Sequence, residues 1–193
     1  MGERDLTNFR ATAITRISEA LRAAEAAADA ESGLLALSRA TFELLGDPSA
    51  HLRSGALKDG AHQFLVSGFF LVSPDRQSHI LVAEHGFPPA QHRLAIPIAL
   101  GHPGWVYNHK EPLILANTDQ HPDFERILET ARMGSALYGP MIWRGRMIGQ
   151  LITAAQARNT FGEADLEILV LAARAAAALY MALDGPAFLE SLE

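Results

Sequence analysis

Histidine is the residue type whose number and placing invite a chemical reading. The chain has eight histidines and no cysteine. His79 and His85 stand six apart in HILVAEHG, His102 and His109 bracket GHPGWVYNH, and His121 with Asp123 lies in the loop that follows. Imidazoles beside a carboxylate can hold zinc or iron. Loop histidines next to proline are more often solvated surface groups. On one regular strand His79 and His85 share a face but sit ~20 Å apart at about 3.3 Å per residue, too far to share an ion. No metal site is therefore assigned. Ser135 has a base only if the fold brings His121 to it. There is no G-x-S-x-G elbow, no H-E-x-x-H and no phosphate-binding loop of the Walker type. The absence of cysteine removes disulfides, thiolate metal sites, thiol nucleophiles and thioether-linked cofactors. The expectation is a chain without catalysis of its own.

The elements that would position these residues are legible in the hydrophobic pattern. Residues 5–30 read as one amphipathic helix, with Leu6, Phe9, Ala13, Ile17, Leu21, Ala24 and Ala28 at steps of three and four. A second helix is expected from Leu34 to Leu45, ended by Gly46-Asp47-Pro48. Residues 49–62 are ambiguous. FLVSGFFLV (64–72) and HILVAEHG (79–86) flank the turn SPDRQ and predict a β-hairpin. Residues 87–112 carry five prolines and are expected to be loop, with a short apolar segment at 94–99. A strand follows at 113–117, then a loop and a helix from about Phe124 to Arg132. SALYGPMIW and RMIGQLITA predict a second hairpin around Arg144-Gly145. The last helix is expected over 162–183, with Thr160 and Glu163 as a capping box. Hairpins with helices at both ends of the chain argue for an α+β fold, an antiparallel sheet of five or six strands.

In this order the motifs resemble the GAF domain family. GHPGWVYNHKEPLILANTDQHPDF is similar to the middle of that domain through Gly101, Gly104, Val106, Pro112, Asn117 and Asp119. The second hairpin matches through Ser135, Leu137, Pro140, Gly145, Ile148 and Gly149, with Gly139 where valine is usual. FGEADLEILVLAARAAAAL matches the closing helix through Phe161, Asp165 and Leu169. The resemblance covers about residues 31–183. It implies N- and C-terminal helices on one face of the sheet, with loops and a short helix over the other, and a pocket. It also implies no particular chemistry. The cyclic-nucleotide signature of phosphodiesterase members is not found. The cysteines that attach bilins, or that reduce free methionine sulfoxide, are absent. No cofactor is named.

The expected organisation is an N-terminal helix (1–30), a GAF-like domain (31–184) and a tail (185–193). The expected pocket is lined by Trp105, Phe124, Leu128 and Met133. Ser135 and Leu137 form its floor, and Asn117 and Thr118 orient a small ligand. The function expected is small-molecule sensing, acting on a separate partner or through a homodimer of the terminal helices. The alternatives are a pure dimerisation scaffold whose pocket is self-filled, and a histidine-based metal or redox enzyme. Sixteen Lys and Arg against 22 Asp and Glu, a net charge of −6, argue against nucleic acid as a partner. No run approaches 18 apolar residues, and the charged N-terminus lacks a signal-peptide core, so a cytoplasmic protein off the membrane is expected.

Overall fold

The computed structural model describes residues 5–120 and 133–192. Helix α1 (Leu6–Glu25) opens where Asp5 Oδ1 accepts the N–H groups of Thr7 and Asn8, both at 3.1 Å. These are donors that an opening turn leaves free. The helix stops at Glu25, short of the expected residue 30. Asp29 is the reason: its Oδ1 accepts the Ser32 N–H at 2.7 Å and starts a new helix, α2 (Ala30–Leu44), ahead of the expected Leu34. Phe9, Ala13, Ile17, Ala20 and Ala24 of α1 are buried. Burial of Phe9 and Ile17 contributes about 1.5–3 kcal/mol each. Most of the apolar stripe of α1 is thus covered inside the chain, with Leu21 half-buried against the same core. Among the described residues, the large apolar side chains left exposed on the α-helices are Leu6, Ile14, Leu35 and Leu171.

Six strands form one sheet: β1 (Leu65–Val72), β2 (Ser78–His85), β3 (Ala95–Pro97), β4 (Leu113–Leu115), β5 (Ser135–Trp143) and β6 (Arg146–Ala155). Their order is β3-β2-β1-β6-β5-β4, and every neighbouring pair is antiparallel. Both expected hairpins are present. Arg144 and Gly145 turn β5 into β6 with φ of +48° and +77°, the left-handed pair that a two-residue hairpin turn needs. The ambiguous stretch 49–62 contains one 3₁₀ turn, Ala50–Leu52.

Helix α3 (Gly101–His109) occupies part of what was expected to be loop. Pro103 lies in its first turn, where the missing N–H has no helical partner to lose. The long helix α4 (Glu163–Ala182) follows β6, and a short α5 (Gly185–Glu190) stands in the expected tail, with Leu189 buried. The start of α4 is held by Asp165, not by Thr160 and Glu163. Asp165 Oδ2 accepts the Gly162 N–H and its Oδ1 accepts the Gly46 N–H, each at 3.0 Å. Thr160 Oγ1 instead donates to the Ala157 carbonyl at 2.8 Å.

The sheet separates two apolar layers. One lies between the sheet and α1, α2, α4 and α5, and includes Phe69, Leu71, Val82, Leu137, Leu151 and Leu169. The other lies under α3 and includes Phe70, Leu81, Val106, Leu115, Tyr138 and Ile152. The architecture is the expected α+β arrangement. No helix among the described residues is long and apolar enough to cross a membrane.

Candidate functional site

On the helical face a cluster of buried hydroxyls satisfies itself: Thr41 Oγ1 lies 2.9 Å from Ser67 Oγ, and Ser67 Oγ lies 3.0 Å from Thr153 Oγ1 and donates to the Ile152 carbonyl. On the α3 face, two fully buried side chains keep polar atoms without a hydrogen-bond partner. They are both ring nitrogens of His79 and Oε1 of Gln150. Such atoms cost about 1–3 kcal/mol each when left bare, so they mark a place built for something else.

Register explains how they meet. Phe70 in β1 pairs with Gln150 on one side and Leu81 on the other, and Val72 pairs with His79. All five side chains therefore share the α3 face. Gln150 Nε2 donates to the Pro103 carbonyl at 3.2 Å, in the first turn of α3. The carbonyls of Ile98 and Pro103 lie close enough to His79 to favour its protonated form, yet neither makes a well-shaped hydrogen bond to it. Burial outweighs them and holds the imidazole neutral, with its pKa lowered to about 4. Tyr107 of α3 packs edge-on against His79, ring centres 5.8 Å apart, and His102 faces Tyr138 at 6.0 Å. Burial pushes the Tyr138 phenol well above its usual pKa. Gly104 lets α3 pack against the chain that leads into it. A side chain there would put its Cβ 2.2 Å from the Ala99 carbonyl carbon, which no backbone tolerates.

The structure redistributes the residues expected to line a pocket. Trp105 and Met133 pack at the edge of the α3-face layer, half-exposed. Trp105 is helical and stacks on His109 at 4.2 Å. Thr118 is buried beside them and donates to the Met133 carbonyl. Asn117 turns to its own backbone, its Oδ1 accepting the Asp119 N–H at 3.0 Å. Ser135 and Leu137 are not a floor for Trp105. They share a face, as alternation requires, but it is the helical one: Leu137 lies in the α4-side core, and Ser135 Oγ donates to the Ala157 carbonyl at 2.7 Å. Ala136 and Tyr138 are the β5 residues that face α3. Phe124 and Leu128, with His121 and Asp123, lie outside the described residues. His79, His102, Gln150 and Tyr138 were not expected as pocket residues. A glutamine amid the apolar run RMIGQLITAA is the signal that marks one of them.

Among the described residues the histidines do not assemble a metal centre among themselves. His79 faces α3 while His85 packs against Phe42 of α2, because Ala83, at φ +50°, and a register shift opposite Ser67 and Phe69 reverse the alternation. His102 and His109 are seven residues apart on one helix, about 10 Å. Among the described residues, Glu31, Glu84 and His92 bring ligand atoms within 4.8 Å of one another. Within it Glu31 pairs with Arg93 at 2.5 Å, and His92 Nδ1 lies 2.7 Å from Glu84.

Asp119, near the end of the first described stretch, is held by two cations. Its Oδ2 accepts from Arg158 Nε at 3.0 Å and Nη2 at 2.5 Å, and Lys58 Nζ lies 3.0 Å from Oδ1. Asp119 thereby ties the connection after β4 to the chain beyond β6.

With this geometry in hand, comparison with known proteins is informative. A family profile described as GAF domain matches residues 55–179. No curated protein matches the sequence. Among solved structures, the GAF domain of a phosphoenolpyruvate-protein phosphotransferase from Coxiella burnetii superposes with a TM-score of 0.73 at 19% identity. That alignment covers 95% of this chain and 98% of that one. The corresponding domain from Acinetobacter gives 0.72 at 16% identity, covering 90% and 95%. Free methionine-R-sulfoxide reductase from Neisseria meningitidis, solved with its substrate, gives 0.71 at 17% identity, covering 96% of each chain. At these identities the likeness is one of fold.

Proposed function

The chain belongs to the GAF domain family, and from that premise we propose that it is a non-catalytic sensing domain that holds a small molecule against the α3 face of its sheet. One observation carries this reading: among the fully buried side chains of the α3 face, Gln150 Oε1 has no hydrogen-bond partner and the His79 ring makes no well-shaped hydrogen bond, although the Ile98 and Pro103 carbonyls lie near it. The ligand that fits is compact and largely apolar. It carries a hydrogen-bond donor for Gln150 Oε1 and a polar group for the neutral His79 imidazole, with apolar surface against Trp105, Leu113 and Met133. Thr118 sits beside Met133 and donates to its carbonyl. Trp105 at the edge is placed to cover it. A thiol-based sulfoxide reductase is disfavoured because the chain has no cysteine. Output passes to a separate protein or through a homodimer. Self-association would rest on the exposed Leu6, Ile14 and Leu171, since Phe9 and Ile17 are spent internally; sedimentation of Ile14→Glu tests it.

The test is thermal shift against a metabolite library, comparing wild type with Trp105→Ala and Gln150→Leu. A ligand at a hundredfold excess over its Kd adds about 2.7 kcal/mol, or about 5–10 °C for a chain of this size. Both variants should lose much of that shift. No shift in wild type with any compound, or equal shifts in all three proteins, overturns the reading.

A further inference from the structure

A second concave surface lies at the end of the sheet away from the β4 segment, where the β5–β6 turn, the β1–β2 turn and α5 meet. It is a groove of about 510 Å³. Its floor is apolar, formed by Ile148, Met181 and Leu189. Trp143 stands half-buried beside Arg144 and Arg146, which are exposed on either side of Gly145. Neither arginine has an ion pair among the described residues. Arg10, Arg16, Arg39, Arg53, Arg93 and Arg158 each have one. Arg76 contributes from the other turn. Its Nη2 donates to the Tyr107 hydroxyl at 2.8 Å, and its guanidinium lies 5.5 Å from the Tyr107 ring centre. Among the described residues the acid lining the groove is Glu190; Asp184 also acts on the lining Tyr180, and nearby Asp75 is engaged with Ser73 and Gln77 of its own turn. On a chain of net charge −6, three arginines lining one groove are a local concentration of positive charge.

We propose that this groove docks an acidic segment of a partner protein, with an apolar or aromatic side chain seated against Trp143 and the floor and carboxylates on Arg144 and Arg146. Charge complementarity selects the acidic partner. The apolar floor selects a peptide over a simple anion, because an inorganic anion leaves that floor bare. The hairpin turn fixes the backbone positions of the two arginines two residues apart, and arginine suits paired recognition of carboxylates. Arg76 shares Tyr107 with the α3 face, so the surface lies one side chain from the proposed ligand site. The docking reading nevertheless stands apart from ligand binding and is tested without it.

The experiment is fluorescence anisotropy with a fluorescein-labelled peptide rich in Asp and Glu around a central Phe and Leu. A Gln/Asn counterpart and a Phe/Leu-free acidic peptide serve as comparators. The proteins are wild type, the double variant Arg144→Glu/Arg146→Glu, Trp143→Ala, and the double variant Arg22→Glu/Arg174→Glu, whose arginines are also unpaired but lie outside the groove. Saturable binding of the acidic apolar peptide is expected in wild type, weaker by about tenfold or more in the first two variants and unchanged in the last. The counterpart peptides should bind at least about tenfold less well. Equal losses in the Arg22/Arg174 variant would reduce the effect to net charge and overturn the proposal. So would absence of saturable binding, full competition by tripolyphosphate with an equally tight Phe/Leu-free peptide, or a wild-type dimer that the Arg144/Arg146 variant dissolves.

Discussion

His79 offers a stability measurement whose size follows from its surroundings. The imidazole is fully buried against Phe70 and Tyr107, and desolvation lowers its pKa from 6.5 to about 4. Arg76 donates to the hydroxyl of Tyr107, the ring that packs on His79. Between those two pKa values the unfolded chain binds a proton that the folded chain refuses. Acid therefore favours unfolding: this contribution is intact above pH 6.5 and is lost as the pH falls toward 4. The linkage costs about 2 kcal/mol between pH 7 and pH 5 and about 3 kcal/mol over the whole window. Carboxylates titrate as well, so the quantity to read is the difference between wild type and His79→Leu. Urea unfolding at pH 7, 6 and 5 gives both curves, and the variant should lose about 2 kcal/mol less than wild type across that range. Parallel losses in the two proteins, or an NMR titration of the His79 ring with a midpoint near 6.5, would refute the reasoning.

Asp165 accepts from Gly162 and Gly46, joining the start of α4 to the end of α2. Asp165→Ala should cost about 1–3 kcal/mol in urea unfolding, because a cap is lost and a buried N–H is left bare; a change below about 0.5 kcal/mol would contradict that role. Gly139 faces α4, where a Cβ would lie 3.1 Å from Ala173 Cβ and 3.3 Å from the Leu169 carbonyl. Restoring the family's usual residue with Gly139→Val should lower the Tm by an amount equivalent to about 1–3 kcal/mol, and an unchanged Tm would show that α4 yields freely.

Much of the fold was legible because strands and helices bury faces with different periods. Both hairpins, the strand at 113–115 and the last helix follow directly from that pattern. Helix α3 was hidden by its composition: Gly101, Pro103 and Gly104 look like breakers, yet Pro103 falls in the first turn and Gly104 is there for closeness to Ala99. The candidate site was legible in type but not in side. Alternation places Ser135 and Leu137 together without saying which face is which, and the face is decided by packing against α4. The shift at Ala83 defeats strict alternation in the same way, separating His79 from His85. The first helix was overextended because its apolar spacing continues through Ala28, and only the side chain of Asp29 breaks it. Gln150 was legible in principle, as a polar residue where the strand pattern demands an apolar one.

The central claim is a site that holds a small molecule and leaves it unaltered. The most direct measurement is equilibrium dialysis of wild type against the strongest thermal-shift hit, followed by mass spectrometry of the compound recovered from the protein side. The account predicts saturation at one molecule per chain, recovery of the compound unchanged, and retention sharply reduced in Gln150→Leu. Conversion of the compound, or retention that Gln150→Leu and Trp105→Ala leave untouched, would contradict it.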